Sequence, residues 1–408
     1  MTTTAAPRLL QPSDAVEAAA MLRSASDQHL GVVVRGGGTK AGWGRPAARV
    51  DAVLSVANLR EPIEHCAGDL TVTVAAGTTL DALNARLAEH QQWLPLDPLA
   101  GRQSTMGGLL ATNDSGPRRL RHGAPRDLVI GIEFALTDGR RVKSGGKVVK
   151  NVAGYDLGRL LCGSYGTLAV ITAATFKLAP RPPASRTVVA EVPERALEAF
   201  LRALSTAAAT PSAIELDRSG PVVGVPAAPP PRVLVRFETT AAAADAQSAQ
   251  VVGLAVQGGG SATILHGAGE LETWEAYESA LRSSPGALIK LSVLPTDVPP
   301  VLKEVERLAT DEGLAWRLGG RATLGALVLR VDGDTASVAR LTHGLRAFAS
   351  PRSGHVAVVS GPGALMRAVA VWDDVGPAAV VIRAVKAQFD PTGTLCPGGG
   401  PGGLGALA

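Results

Sequence analysis

The chain has 408 residues, 46% apolar and 19% charged, and its 40 basic and 36 acidic side chains leave a formal charge of +4. This size and composition predict a globular protein of two or three domains and exclude a fibrous one. Aromatic residues make up only 3% of the chain. Base-stacking platforms are therefore scarce, and a nucleic-acid-binding surface is not expected.

The cysteines and histidines give no sign of a disulfide framework or a metal site. Cys66, Cys162 and Cys396 are odd in number and far apart, and no Cys-x-x-Cys pair exists for zinc or an iron–sulfur cluster. The seven histidines form no His-x-His or His-Glu-x-x-His pair. With no signal peptide and no long apolar stretch, we expect a cytoplasmic protein without a membrane span.

The first elements lead to a run of glycines. Asp14 is a good N-cap for a helix over Ala15–Ser24, and the β-branched run Val32–Val34 predicts a buried strand. The strand enters Arg35-Gly36-Gly37-Gly38-Thr39-Lys40, here called the glycine loop. Successive glycines allow backbone N–H groups to turn inward and bind an anion, with Arg35 and Lys40 adding positive charge. A phosphate or pyrophosphate is the natural ligand, and a flexible surface turn is the alternative.

Further small-residue clusters follow along the first half of the chain. After strands near 50–56, 61–65 and 70–74 and a helix from Thr78 or Thr79 to His90, the segment Gly101–Gly116 is dense in Gly, Ala, Ser and Thr. Such a segment lets a ligand lie against the backbone, and tight helix–helix packing is the alternative. Asp138-Gly139 predicts a hairpin after a strand at 128–137.

The second half predicts a separate unit. The proline-rich segment Ala179–Ser185 is typical of a linker. Beyond it strands and helices alternate in a pattern that favours an α+β domain, with helices at 193–209, 241–257, 273–282 and 298–312. A helix at 364–372 and a segment at 381–389 precede a Gly- and Pro-rich tail, for which disorder is expected after about residue 400.

These clusters do not form the Gly-x-Gly-x-x-Gly fingerprint of a Rossmann fold. Taken together, they resemble the FAD-binding fold of the vanillyl-alcohol oxidase (PCMH) type, and more narrowly the FAD-binding E subunits of bacterial glycolate oxidases. The narrow match lies in the glycine loop and in four further segments: 94–98 (LPLDP), 115–119 (SGPRR), 146–156 (GKVVKNVAGYD) and 386–391 (KAQFDP).

The resemblance implies an α+β architecture with a PCMH-type FAD-binding domain at 1–182 and an α+β cap domain at 186–350. A C-terminal segment at 351–400 would pack back on the FAD domain, and 401–408 would be a disordered tail. It also implies the residues that bind FAD. The glycine loop, comprising Arg35, Gly36, Gly37, Gly38, Thr39 and Lys40, would hold the pyrophosphate. The diphosphate and ribityl chain would lie against Met106, Gly107, Gly108, Thr112, Ser115 and Gly116, and the adenosine half against Gly163, Gly166, Thr167 and Ile171.

Three positions bear on how FAD is held. Thr39 is nearest to the position where relatives with covalent flavin carry a histidine, so we expect non-covalent FAD. Near the C-terminus, Cys396 replaces the asparagine of the family pattern, and a thiol cannot donate the amide hydrogen bonds of an asparagine. Ala169 replaces a glycine in the segment Gly166–Ile171, which is a mild change.

The function implied by the resemblance is oxidation of glycolate, or of another 2-hydroxy acid, within a complex that also contains a D-type flavoprotein subunit and an iron–sulfur F-type subunit. Association with the membrane would be peripheral and through those partners. His266, His343 and His355 are isolated, which favours structural or solvated roles over that of a base. Cationic candidates for a substrate carboxylate are Lys290, Arg317, Arg321 and Arg330. The alternatives are a non-catalytic flavin-binding assembly or electron-relay subunit, or a stand-alone FAD-dependent 2-hydroxy-acid dehydrogenase.

Overall fold

The computed structural model describes residues 6–147, 154–220, 229–282 and 286–400. Among these residues the chain forms two compact units. Unit 1 takes residues of Met1–Ser115, His122–Arg181 and Asp374–Ala408, and unit 2 takes residues of Gly116–Arg121 and Pro182–Asp373. Unit 1 is therefore assembled from three separate stretches of chain.

The first half of the chain contains ten strands and six helices among the described residues. The strands are β1 (Arg8–Leu10), β2 (Val32–Arg35), β3 (Ala52–Ser55), β4 (Ile63–Cys66), β5 (Thr71–Ala75), β6 (Gln92–Trp93), β7 (Val129–Ala135), β8 (Arg141–Gly145), β9 (Val170–Lys177) and β10 (Ala179–Pro180). The helices are α1 (Ala15–Asp27), α2 (Leu80–Leu87), α3 (Met106–Thr112), α4 (Arg119–His122), α5 (Pro125–Leu128) and α6 (Leu157–Leu161).

Unit 1 is built on a parallel sheet in the order β1-β3-β2 and an antiparallel sheet in the order β4-β5-β9-β7-β8. Helix α1 starts as predicted, because the Asp14 carboxylate accepts hydrogen bonds from the N–H groups of Val16 and Glu17. Its buried Leu22 packs in one core with Leu54 of β3. The predicted hairpin at Asp138-Gly139 is also confirmed, since β7 and β8 pair across it.

Unit 2 holds the following elements. Its strands are β11 (Ala184–Glu191), β12 (Ala213–Ser219), β13 (Arg232–Thr239), β14 (Ser261–Leu265), β15 (Ala287–Ser292), β16 (Ala315–Arg321), β17 (Ala326–Asp332) and β18 (His355–Ser360). Its longer helices are α7 (Glu194–Thr206), α8 (Ala241–Gln257), α9 (Gly267–Arg282), α10 (Val298–Asp311), α11 (Thr335–Ala349) and α12 (Gly363–Ala368). The last helix, α13 (Ala378–Phe389), returns to unit 1.

The sheet of unit 2 is a duplicated motif. Its eight antiparallel strands run in the order β14-β11-β13-β12-β16-β17-β15-β18. Each half follows the β-α-β-β-α-β pattern of a ferredoxin-like unit, from β11 to β14 and from β15 to β18. The two halves join through their equivalent second strands, β12 and β16, where Glu215 lies opposite Arg321. We call this pairing the seam.

The two faces of this sheet differ in chemistry because side chains alternate along each strand. On β12, Ile214 and Leu216 enter the large apolar core that helices α7, α8, α10 and α11 cover. The intervening Glu215 and Asp217 lie on the opposite, charged face. Helix α9 contacts that face, where the Tyr277 hydroxyl donates to the Glu215 carboxylate at 2.6 Å. The mixture of sheets and helices confirms the predicted α+β class.

Several bounds differ from those predicted. Instead of a linker at 179–185, β10 pairs with β6 and β11 already begins at Ala184, because strand partners satisfy the backbone there. Unit 2 extends to Asp373 rather than to 350. The predicted helix at 364–372 is the shorter α12. The tail 401–408 and residues 148–153 of the VVKNVA segment lie outside the described residues. In the part of the chain described, no helix has the length and apolarity needed to cross a membrane.

Candidate functional site

A cavity of about 390 Å³ opens in unit 1, a volume typical of ligand sites. The glycine loop forms one wall, and the following turn, Ala41–Ala47, continues it. Further lining residues come from α3 and from the segment that leads into β9. The cavity therefore lies where three of the predicted small-residue clusters meet.

The glycine loop presents unsatisfied donors to this cavity. Within the described residues, the backbone N–H groups of Gly36, Gly37, Gly38, Thr39 and Lys40 have no acceptor. Gly38 has a φ of +77°, the left-handed conformation that turns successive N–H groups to one side. Such a row of donors can bind an anion, which remains the role predicted for this loop.

Positive charge surrounds these donors. The cavity is lined by Arg35, Lys40 and Arg45, and no carboxylate is among its lining residues. Lys40 is buried, donates to the Ser104 hydroxyl at 2.7 Å and lies 3.7 Å from the Asp114 carboxylate. Burial lowers the pKa of Lys40, and the charge of Asp114 opposes that shift. Asp114 itself accepts hydrogen bonds from the N–H groups at positions 99 and 100. A bound anion would thus meet the Lys40 ammonium in a fixed position.

The rest of the cavity wall is largely apolar. Side chains from β2, β3 and β9 and their flanks line it, namely Val33, Val34, Val50, Val53, Val56, Ala169 and Ile171. Tyr165 closes one side, and burial raises the pKa of its hydroxyl well above the usual range. Cys396, in the C-terminal stretch, also lines the cavity. Burial raises the pKa of its thiol, and the positive charge of Lys386 partly offsets this rise. The cavity thus combines an anion site with an apolar slot.

The structure brings most of the predicted site residues together. Those that line the cavity are Arg35, Gly36, Gly37, Gly38, Thr39, Lys40, Gly107, Gly108, Thr112, Gly166 and Ile171. Five others do not line it. Met106, the first residue of α3, is buried in the core, and Thr167 is buried with its hydroxyl donating to the Ser164 carbonyl. Gly163 donates to the Leu110 carbonyl, and Ser115 is buried at the end of its stretch. Gly116 belongs to unit 2, where its carbonyl accepts a hydrogen bond from Arg321.

Other lining residues were not selected from the sequence. Trp43 and Arg45 lie in the turn after the glycine loop, and the flanking Gly42 and Gly44 were a usable signal. Tyr165 stands inside the Gly-Ser-Tyr-Gly motif but was not singled out. Thr105 caps α3 and contacts the glycine loop, a contact that depends on the folded chain.

In unit 2 the candidate residues for substrate chemistry are exposed or paired. His266, His343 and His355 all have exposed side chains. On the charged face, Arg317 pairs with Asp217 at 2.7 Å and Arg321 lies 3.6 Å from Glu215. Arg330 lies 3.2 Å from Asp332, and Lys290 lies on the neighbouring strand β15. Among the described residues, no group of three or more His, Cys, Asp or Glu side chains could hold a metal ion.

Comparisons with known proteins also indicate a cofactor-binding site in this part of the chain. Residues 6–145 match the family FAD_binding_4, described as an FAD binding domain. The fold is similar to that of 4-ethylphenol oxidase from Gulosibacter chungangensis in its isoeugenol complex, with a TM-score of 0.77 and 15% identity over 98% of this chain and 90% of that one. The chain has a PCMH-type FAD-binding fold. Its cofactor is FAD, as the resemblance predicted.

Two curated proteins are similar in sequence to part of this flavoprotein. D-lactate dehydrogenase of Archaeoglobus fulgidus is 39% identical over 173 residues, which are 42% of this chain and 39% of that protein. Glycolate oxidase subunit GlcE of Escherichia coli is 39% identical over 162 residues, which are 40% of this chain and 46% of that protein. The matched segment therefore spans less than half the length of either relative.

The residues around the cavity fit FAD. The cofactor carries an anionic pyrophosphate between apolar ring systems. The unsatisfied N–H groups of the glycine loop and the side chains of Arg35 and Arg45 suit the pyrophosphate, and the valine-lined wall suits a ring. The crowding at Gly36 supports the same reading, because a Cβ there would lie 2.2 Å from the Thr105 hydroxyl oxygen. The loop backbone is held against α3, which keeps its donors in place.

Proposed function

We propose that this chain is an FAD-dependent oxidoreductase that acts on the hydroxyl-bearing carbon of a small 2-hydroxy acid. Within that class we favour the FAD-binding subunit of a glycolate oxidase, which oxidises glycolate to glyoxylate together with a D-type flavoprotein subunit and an iron–sulfur F-type subunit. The observation that carries the proposal is an FAD cavity in a chain whose relatives are named D-lactate dehydrogenase and glycolate oxidase subunit.

Bound FAD would supply the hydride-acceptor chemistry that oxidation of a 2-hydroxy acid requires. The residues of unit 1 bind and orient that cofactor. Backbone donors of the glycine loop hold the pyrophosphate, with charge from Arg35 and Lys40, and the buried Asp114 fixes the position of the Lys40 ammonium. Apolar side chains such as Val53 and Ile171 exclude water from the slot.

The exposure and pairing of the candidate catalytic side chains in unit 2 support a role in which this chain depends on partner subunits. Oxidation of a 2-hydroxy acid needs a base for the hydroxyl proton and a cation for the carboxylate. The three histidines of unit 2 are exposed, and Arg317, Arg321 and Arg330 already have carboxylate neighbours. A partner subunit would then complete the substrate site, where the FAD of this chain would serve as the hydride acceptor.

The same experiment tests two alternative functions. In the first, the chain binds flavin but serves only assembly or electron relay. In the second, it is a stand-alone dehydrogenase of another 2-hydroxy acid, as the similarity to D-lactate and D-2-hydroxyglutarate dehydrogenases would allow.

The experiment measures flavin reduction and dye reduction separately. The purified chain, alone and co-expressed with candidate D-type and F-type subunits, is mixed anaerobically with glycolate, D-lactate or D-2-hydroxyglutarate, and the flavin absorbance is followed. Dye reduction is then assayed for each preparation. The control is a complex in which this chain carries the Gly37→Val substitution and therefore lacks its own flavin.

We expect dye reduction with glycolate only in the complex, and its loss in the Gly37→Val complex. Full turnover by the isolated chain would contradict the dependent role and favour a stand-alone dehydrogenase. Undiminished turnover in the Gly37→Val complex would favour the assembly role.

A further inference from the structure

A buried lysine lies behind the cavity wall in unit 1. The side chain of Lys386, on α13, is only 3% exposed. Its ammonium donates to the Thr167 carbonyl at 2.6 Å, the Leu395 carbonyl at 2.9 Å and the Asp390 carboxylate at 2.5 Å. An ammonium has three N–H donors, so this set satisfies it completely. Such burial is tolerated only when the charge is paired and every donor is used.

The acceptors of Lys386 belong to two segments of the cavity wall. Thr167 follows Gly166, and Leu395 precedes Cys396; both of these neighbours line the cavity. The second segment, Asp390–Cys396, is here called the C-terminal turn. Its conformation depends on Asp390, whose carboxylate also accepts hydrogen bonds from the N–H groups of residues 394 and 395 at 2.9 and 2.8 Å.

The C-terminal turn also supports the strand that carries the glycine loop. The N–H of Val32 donates to the Thr394 carbonyl at 2.7 Å, and the N–H of Cys396 donates to the Val32 carbonyl at 2.8 Å. Val32 begins β2, which runs directly into the glycine loop. One buried ammonium therefore ties together the turn, the segment around Gly166 and, through the turn, the edge of β2.

We propose that Lys386 is a positioning residue for FAD, acting with Asp390. It holds the C-terminal turn, with Cys396, as a wall of the cavity, so that FAD affinity depends on a stretch of chain far outside the matched residues 6–145. The proposal rests on FAD binding by this chain and not on its substrate or partners.

The test compares FAD affinity with stability. The variants are Lys386→Met and the double variant Lys386→Met/Asp390→Asn, in which no unpaired charge is left buried should the single variant fail to fold. Leu87→Ala is the matched control, because Leu87 is fully buried in the core of the same unit and does not line the cavity. Apoprotein is titrated with FAD well below the melting temperature, and the visible circular dichroism of the bound flavin is recorded.

We expect the double variant to bind FAD at least about tenfold more weakly, with an altered visible circular dichroism spectrum. Leu87→Ala should lower the melting temperature without either effect. The proposal would be overturned if the double variant bound FAD with the affinity of the parent and gave the same spectrum. It would also be overturned if Leu87→Ala weakened FAD binding to the same extent. If the parent chain bound no FAD, the FAD site itself would be wrong. If the parent bound FAD but did not oxidise glycolate, only the proposed function would be contradicted.

Discussion

The three glycines of the glycine loop are required for different reasons. A Cβ at Gly36 would collide with the Thr105 hydroxyl at 2.2 Å. At Gly37 the nearest atom would be the Gln103 carbonyl oxygen at 3.2 Å, which is tight but closer to tolerable. Gly38 alone has a positive φ, at +77°. A side chain would therefore meet backbone strain at Gly38, whereas Gly37 is constrained by space.

We predict that Gly37→Val abolishes flavin binding with the fold largely retained. The valine methyl groups would press on the 103–105 segment and displace the N–H donors that face the cavity. Flavin absorbance per mole of purified protein measures the effect. Gly68→Val is the control, because a Cβ at Gly68 meets nothing within 4 Å and the residue does not line the cavity. Equal flavin content in both variants would contradict the assigned role of the loop.

We also predict a pH-dependent contribution from Glu238 in unit 2. Burial alone would raise the pKa of Glu238, but the charge and hydrogen bonds of Arg118, aided by Arg236 and Ser212, lower it to about 2. Because the folded pKa lies below the ordinary 4.5, the stabilisation is present above pH 4.5 and is lost as the pH falls from 4.5 toward 2. Its size is at most about 3 kcal/mol.

Urea unfolding of the parent and of Glu238→Gln at several pH values measures this contribution. The difference between the two proteins should be largest at pH 6–7 and shrink below pH 4.5. A difference that does not change with pH would mean that lost packing, and not the carboxylate charge, causes the destabilisation.

Cavity residues were predictable to the extent that the signal was local. Glycine runs mark the glycine loop, because close backbone approach to an anion requires a specific residue type. Trp43 and Tyr165 could not be assigned in the same way, since aromatic side chains are equally compatible with a core. The placement of Cys396 beside Val32 depends on hydrogen bonds between residues more than 360 positions apart, and no sequence pattern encodes them.

At the scale of elements, the seam joins the two halves of the unit 2 sheet through opposite charges. Strand β12 contributes Glu215 and Asp217, and β16 contributes Arg317 and Arg321. Asp217 also accepts a hydrogen bond from Arg232 of β13, so one buried carboxylate serves the strands on both sides. A shift of one residue in register would move these side chains to the apolar face, so the charges help to fix the pairing.

We predict that Asp217→Asn destabilises unit 2 by about 1–3 kcal/mol, because it leaves two partly exposed arginines without their shared countercharge. Asp245→Asn is the matched control. It breaks the ion pair with Arg186, but Asp245 is 58% exposed whereas Asp217 is 3% exposed. The control should change stability by about 0–1 kcal/mol. Urea midpoints followed by circular dichroism provide the comparison, and equal shifts would show that the seam charges are dispensable.

Helices and strands were predicted correctly where the sequence pattern is local. They were missed where an element depends on strands that are distant in the sequence. The helix predicted at 241–257 agrees with α8 because its start and end signals are local. The duplicated motif was not predicted, since its halves are defined by the pairing of strands as distant as β12 and β16. The segment 179–185 has the composition of a linker, yet its backbone pairs with β6 and β13.

On the scale of the whole molecule, we predict about one FAD per chain, held without a covalent bond. Thr39 is the residue nearest to the loop position at which, by the resemblance, relatives with covalent flavin carry a histidine. Burial raises the pKa of the Cys396 thiol, which disfavours the reactive thiolate. Acid precipitation should release all yellow colour into the supernatant. Flavin that remains with the pellet after washing would contradict the prediction.

The assembly of unit 1 from three stretches has a consequence for synthesis in the cell. The glycine loop emerges from the ribosome early, but the C-terminal turn that pairs with Val32 follows only after the residues of unit 2. At about 5–20 residues per second, the roughly 350 residues between the glycine loop and the C-terminal turn take about 18–70 s to translate. The sequence of unit 2 is complete before the C-terminal turn is made, so unit 2 can fold while the edge of β2 still has no partner. With FAD affinity dependent on that turn, as proposed above, we expect the nascent chain to acquire its flavin late and its exposed strand edge to be open to chaperones.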